Sequence, residues 1–126
     1  MVITDVEKII DELVELEWYK VAAVSVMSSK GKIIYQKGAN WDLTKESKTI
    51  LDTLKGSNSL NLMGVDFAVV YNTPEAIIGT DKAGNGHVVL VPFKGGILVC
   101  YIMPKADPHN SLSNIQNTAL KLNGKV

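Results

Sequence analysis

The chain has one cysteine, two histidines and no net charge, and each of these shortages removes a class of function. A lone cysteine rules out a disulfide framework within the chain. Cys100 sits in the run Ile97-Leu98-Val99-Cys100-Tyr101-Ile102, where a free thiol behaves as a small buried hydrophobe. Neither His87 nor His109 has a cysteine or carboxylate at zinc-ligand spacing, so no metal site or other cofactor is expected. Thirteen basic and thirteen acidic side chains cancel, and no global field draws the molecule to nucleic acid. No run of about 18 apolar residues suits a membrane-spanning helix. The start, Met1-Val2-Ile3-Thr4-Asp5, lacks the basic and apolar parts of a signal peptide, so the expected address is a reducing cytoplasm. Repeats, linkers and low-complexity tracts are missing too, and 126 residues leave room for one domain spanning 1–126.

What remains is strongly patterned. Thr4 and Glu7 form a capping-box pair, and Val6, Ile9, Ile10, Leu13 and Leu16 recur at helical spacing, which predicts a helix over 4–17. Asp11, Glu12 and Glu15 fall on its opposite, solvated side, while Trp18 and Tyr19 at its end read as packing residues. Val21 to Met27, the turn cluster Ser28-Ser29-Lys30-Gly31 and Lys32 to Gln36 form a hairpin signal. Asp42 or Thr44 can cap a second, short helix carrying Leu43, Ile50, Leu51 and Leu54, which Gly56 can end. Five short strands follow, at 60–62, 66–71, 76–80, 87–91 and 97–103, and their short loops imply an antiparallel meander. Pro108 starts a last helix with the stripe Leu112, Ile115, Ala119 and Leu122. The sum is an α+β fold: an antiparallel sheet with helices at both ends of the chain and a shorter one between.

Reactive constellations are not evident. The stretch from Gly79 to Gly86 is rich in glycine, yet Asn85-Gly86 stands where a Walker loop needs Lys and Ser or Thr, and a strand follows in place of a helix. A hairpin turn explains it. No serine lies in a nucleophile elbow, and the chain reads as a binding protein, not an enzyme.

Several segments, in order, resemble profilins. Ser59-Leu60-Asn61-Leu62-Met63-Gly64-Val65-Asp66-Phe67 is similar to the profilin signature Gly-Leu-x-Leu-x-Gly-x-Lys-aromatic. Thr73 to Lys82 is similar to the hairpin that follows it, Ile97-Leu98-Val99 to the penultimate strand element, and His109-Asn110-Ser111-Leu112-Ser113-Asn114 to the start of the profilin C-terminal helix. The resemblance runs over residues 4 to 123. It implies a seven-stranded antiparallel sheet with the terminal helices on one face and a shorter helix on the other, and a monomer that binds actin or an actin-like protein in association with the cytoskeleton.

Carried over residue by residue, the implied actin face comprises Asp66, Val69, Tyr71, Gly79, Asp81, His109, Ser111 and Asn114, with Lys82 and Lys94 as neighbours. Asp66, Tyr71, Gly79 and Asp81 stand where animal profilins carry basic residues. That departure points to a divergent partner, such as an archaeal actin met by an archaeal profilin, and leaves at most weak phosphoinositide binding. The proline-peptide site of the family needs stacked aromatics from both terminal helices, whereas this chain has Val2, Ile3 and Ile34 near those positions and no aromatic in the last helix. Proline-rich ligands are therefore not expected. Two other readings of the same pattern stay open: a dimeric roadblock-like or longin-like scaffold for small GTPases or motors, and a sensor of PAS or GAF type enclosing an apolar pocket.

Overall fold

The computed structural model describes residues 5–38 and 41–126. Its elements run α1 (Asp5–Leu16), β1 (Val21–Ser28), β2 (Ile33–Lys37), α2 (Ser47–Leu54), β3 (Ser59–Leu62), β4 (Val65–Thr73), β5 (Ala76–Asp81), β6 (His87–Phe93), β7 (Gly96–Ile102) and α3 (Pro108–Leu122). The seven strands form one antiparallel sheet in the order β2-β1-β7-β6-β5-β4-β3. β3 to β7 are the expected meander. The first hairpin then joins its far end, with Val24 opposite Cys100 and Val26 opposite Leu98.

Alternation along the strands splits the interior in two. On one face Val24, Val26, Ile78, Val89, Val91, Leu98 and Cys100 pack under Val6, Ile10 and Leu13 of α1 and Ile115, Ala119 and Leu122 of α3. On the other, Met27, Ile77, Val88, Leu90, Ile97 and Val99 meet Leu43, Ile50 of α2, Leu60, Leu62 and Phe67. Truncating a fully buried side chain such as Ile10 to alanine costs about 2–5 kcal/mol.

Turn chemistry sets the register. Leu62 pairs with Val65, so Met63 and Gly64 are the whole β3–β4 loop, and both have positive φ (53° and 84°), as a primed turn requires. At the β4–β5 turn the Thr73 hydroxyl accepts from the backbone N–H of Glu75 and Ala76 at 3.2 and 3.1 Å. Between β5 and β6 the Asp81 carboxylate accepts from the N–H of Ala83 (2.9 Å) and Asn85 (3.2 Å).

Three local expectations change. Neither Asp42 nor Thr44 caps α2: its N-cap is Glu46, with no side-chain cap bond. The Asp42 carboxylate instead accepts from the Thr44 N–H and hydroxyl, an Asx turn that competes with helix initiation and delays it to Ser47. Leu16 is 65% exposed, because α1 ends there before its stripe completes another turn. Trp18 and Tyr19 do not pack inward: they are 64% and 81% exposed, their ring centroids 4.9 Å apart. Thr4 of the capping box, with Val2 and Ile3, lies outside the described residues.

Candidate functional site

The entry to α3 is built by its cap. Asp107 takes the N-cap position with extended backbone, its carboxylate accepts the His109 N–H at 2.9 Å, and Pro108 occupies the first turn, where a missing N–H costs nothing. That geometry leaves His109 exposed on the first turn. Its ring meets Tyr71 edge to face, at a centroid separation of 5.3 Å and an interplanar angle of 86°.

Tyr71 owes its position to a bulge. The β4–β5 register shifts between Val69 and Tyr71, so Val70 is the extra residue and is 59% exposed. The half-buried Tyr71 then packs against the α1/α3 core, while Val69 packs against the α2 core. β3 pairs only with Val65 to Ala68, and the Val69 N–H ends the contact by donating to the Asn58 carbonyl at 2.9 Å. Beyond it, the outer edge of β4 has no strand neighbour among the described residues.

A groove of about 490 Å³ lies beside α3, between Pro74 and Glu75 of the β4–β5 turn, Pro92 of β6, and Gln116, Asn117 and Leu120. Leu120 is 66% exposed. These groove residues are absent from the sequence-based site, although Leu120 was legible as an apolar side chain outside the stripe of α3. Lys94 lies at the far end, where its N–H donates to Asn123 Oδ1 at 2.8 Å and its carbonyl accepts the Gly124 N–H at 3.1 Å.

The other expected site residues do not join this surface. Gly79 is buried on the α2 side, and a Cβ there would stand 3.0 Å from Phe67 Cβ and 3.1 Å from Val88 Cγ1, so it is a close-packing position with nothing to present. Ser111 is fully buried in α3, and its hydroxyl finds no hydrogen-bond partner among the described residues. Asn114 is half-buried and donates to Glu17 of the α1–β1 connection. Asp66, Asp81 and Lys82 cluster at the opposite end of the β4–β5 hairpin from the Thr73–Ala76 turn, where Asp81 pairs with Phe67 and its charge holds the β5–β6 turn. Bonds from backbone N–H groups, that of Ala83 first, keep the Asp81 carboxyl below the usual carboxylate range. Among the described residues, no three of His, Cys, Asp and Glu are grouped to hold a metal ion.

The assembled surface is thus an aromatic pair of half-buried Tyr71 and exposed His109, an open strand edge and an apolar-floored groove, all suited to contact with a protein. No family model matches the chain. Among characterised proteins it is 36% identical, across an alignment of 128 positions, to Loki profilin-1 of Lokiarchaeum sp. (strain GC14_75), which covers 93% of this chain and 94% of that one. The structure of LokiProfilin1 in complex with rabbit actin superimposes with a TM-score of 0.89 at 34% identity, over 96% of both chains. Acanthamoeba castellanii profilin IA shares the fold, with a TM-score of 0.76 at 16% identity over 93% of this chain and 95% of that one. Near-complete coverage at this level of sequence identity, together with the common seven-stranded topology, means that the chain belongs to the profilin family.

Proposed function

We propose that this profilin binds monomeric actin, or an actin-like protein, and so regulates its polymerisation without chemistry of its own. The observation that carries the reading is the Tyr71–His109 pair, fixed by a bulge on one side and a helix cap on the other and open to solvent. A partly exposed tyrosine anchored in the core is the material from which binding hot spots are made. Leu120 and the groove beside it supply apolar area, and Lys94 a charged rim. A stable contact of this kind buries roughly 800 Å² on each partner. Solved structures of the two Loki profilins similar to this chain are complexes with rabbit actin, which supports the same class of partner here. Asp66, Asp81 and Lys82 lie outside the contact we propose.

Family membership replaces the dimeric scaffold and sensor readings, and a monomer in the cytoplasm, associated with the cytoskeleton, fits the exposed site. No helix among the described residues is long and apolar enough to cross a membrane. Between α1 and α3, the shallow groove is lined by Ile9, Leu13, Leu16 and Thr118 with no aromatic side chain, which supports weak or absent binding of proline-rich peptides there. Lys82 and Lys94, the lysines the resemblance set beside the actin face, sit on different strand turns and form no cationic patch together, which supports at most weak phosphoinositide binding.

The test is polymerisation of fluorescently labelled actin, from rabbit muscle and from the source organism, with this protein in excess. Slowed spontaneous assembly and a 1:1 complex by light scattering are expected. Unchanged assembly of both actins at roughly tens of micromolar protein overturns the proposal.

A further inference from the structure

A second hollow lies on the α2 face of the sheet, away from His109. Ala22 and Ala23 of β1, Tyr101 of β7, Phe67 of β4 and Trp41 enclose about 340 Å³ beside the β3–β4 turn. β1 and β7 are neighbours in the sheet while β4 lies three strands beyond β7, and the small side chains at 22 and 23 keep the space open. Three rings wall it: Trp41 and Tyr101 lie 5.8 Å apart, and Phe67 meets Tyr101 edge to face at 6.5 Å.

Every polar tip on these rings is already used. Trp41 Nε1 donates to Ser25 Oγ at 2.6 Å, and the Tyr101 hydroxyl donates to the Asn85 carbonyl. The ring walls therefore offer π faces and edges and no free donor, which selects an apolar group.

Val65 also lines an adjoining hollow of about 320 Å³, whose other walls include Gly64, Asp66, Asp81, Lys82 and Asn85. Asp66 is exposed and accepts from Asn61 Nδ2 at 2.8 Å. At the rim of the aromatic hollow, Glu46 Oε1 accepts the Met63 N–H at 3.2 Å, and Asp42 is the residue next to Trp41. Asp66 and Asp81 thus line the second hollow beside Lys82, while Glu46 stands at the rim of the aromatic one and Asp42, with Lys45 near it, follows Trp41. Two hollows that share Val65, one walled by aromatic rings and the other carrying Asp66 and Asp81, complement a ligand that is apolar at one end and cationic at the other, and a cation near π faces gains further attraction.

We propose that these two neighbouring hollows bind a linear peptide segment of a partner protein in which an apolar side chain is followed by a basic one, the first seated against Trp41, Phe67 and Tyr101 and the second facing Asp66. The site is separate from the Tyr71–His109 surface and stands or falls without actin.

The experiment follows backbone amide signals of the intact ¹⁵N-labelled protein during titration with the blocked peptide Leu-Phe-Arg-Lys, with Leu-Phe-Glu-Gln and Ala-Ala-Arg-Lys as controls. Saturable shifts are expected at Ala22, Val65, Phe67, Asn85 and Tyr101, with both controls binding roughly tenfold more weakly or less. Ala22→Leu fills the hollow from its exposed side, and Asp66→Asn removes one exposed charge; each should weaken the titration, and an otherwise unchanged spectrum shows that the fold persists. No saturable shift at these amides up to about 5 mM peptide overturns the proposal. Equal binding of the acidic control, or indifference to Ala22→Leu, overturns it too. Shifts at the same amides that track protein concentration alone would assign the hollow to a second copy of the chain instead.

Discussion

Asn114 of α3 donates its side-chain amide to Glu17 Oε1 across 3.3 Å, joining the start of the last helix to the end of the first. Glu17 is only 3% exposed, and its other oxygen stands 3.9 Å from Lys20 Nζ. A carboxylate so placed depends on each donor it has. Asn114→Ala removes one of them, and a loss of stability of about 1–3 kcal/mol is expected, read as a lower denaturant midpoint. A midpoint unchanged in Asn114→Ala would show that water replaces the amide at no cost.

Tyr71 and His109 should instead trade stability for affinity. Tyr71→Ala and His109→Ala are each expected to weaken actin binding roughly tenfold or more, about 1.4 kcal/mol or above, with the His109 variant as stable as the parent because its side chain is exposed. Fluorescence titration against labelled actin measures the first effect and thermal unfolding the second. Full affinity in both variants would move the contact elsewhere on the molecule.

Cys100 is completely buried opposite Val24 and Val89. Burial first, and the nearby Glu17 charge second, push its thiol far above the ordinary range. An aromatic disulfide reagent should therefore modify Cys100 only as fast as the protein opens, with labelling accelerated by denaturant. Rapid labelling of the native protein at neutral pH would contradict the packing of the sheet centre.

Asp42 gives a prediction in pH. Hydrogen bonds from the Thr44 hydroxyl, then from Gln36, and then from the Thr44 N–H, hold its carboxyl down at about 2. A folded value below the unfolded one means that the bonds stabilise the native state above about pH 4, where the unfolded chain is ionised as well, and that this contribution drains away as pH falls toward 2. The parent should thus unfold at a higher temperature than Asp42→Ala at pH 6, and the gap should close steadily on acidification. A gap independent of pH would assign the difference to something other than the charge.

Element order was legible because each signal was local. Helical spacing at Val6, Ile10 and Leu13, the turn cluster from Ser28 to Gly31 and Pro108 at a helix start depend on neighbours a few residues away. The pairing of β1 with β7 was not, since hydrophobic alternation says which face a strand buries and not which strand lies beside it. The site was legible in part. His109 and Tyr71 follow from the family resemblance, and the structure brings them together. Gly79 and Ser111 were placed on the same surface because a resemblance cannot separate a residue that is small in order to pack from one that is small in order to admit a partner. Trp18 and Tyr19 were misplaced for a related reason: aromatic residues after an amphipathic helix are usually buried, and here α1 ends one residue too early, with Tyr19 at a φ of 74°.

The union of β1 with β7 also governs how the chain reaches its native state. β7 sits between β1 and β6, so the sheet centre is completed by segments from opposite ends of the sequence. During synthesis the β1–β2 hairpin emerges early and has no second neighbour until Gly96 to Ile102 has left the ribosome. Until then its apolar face and one edge are unsheltered, a state that invites pairing with other chains. Contacts of such long range make folding slow relative to a helical protein of equal size. The first hundred residues therefore pass through a stage in which the nascent chain is open to mispairing before its sheet can close.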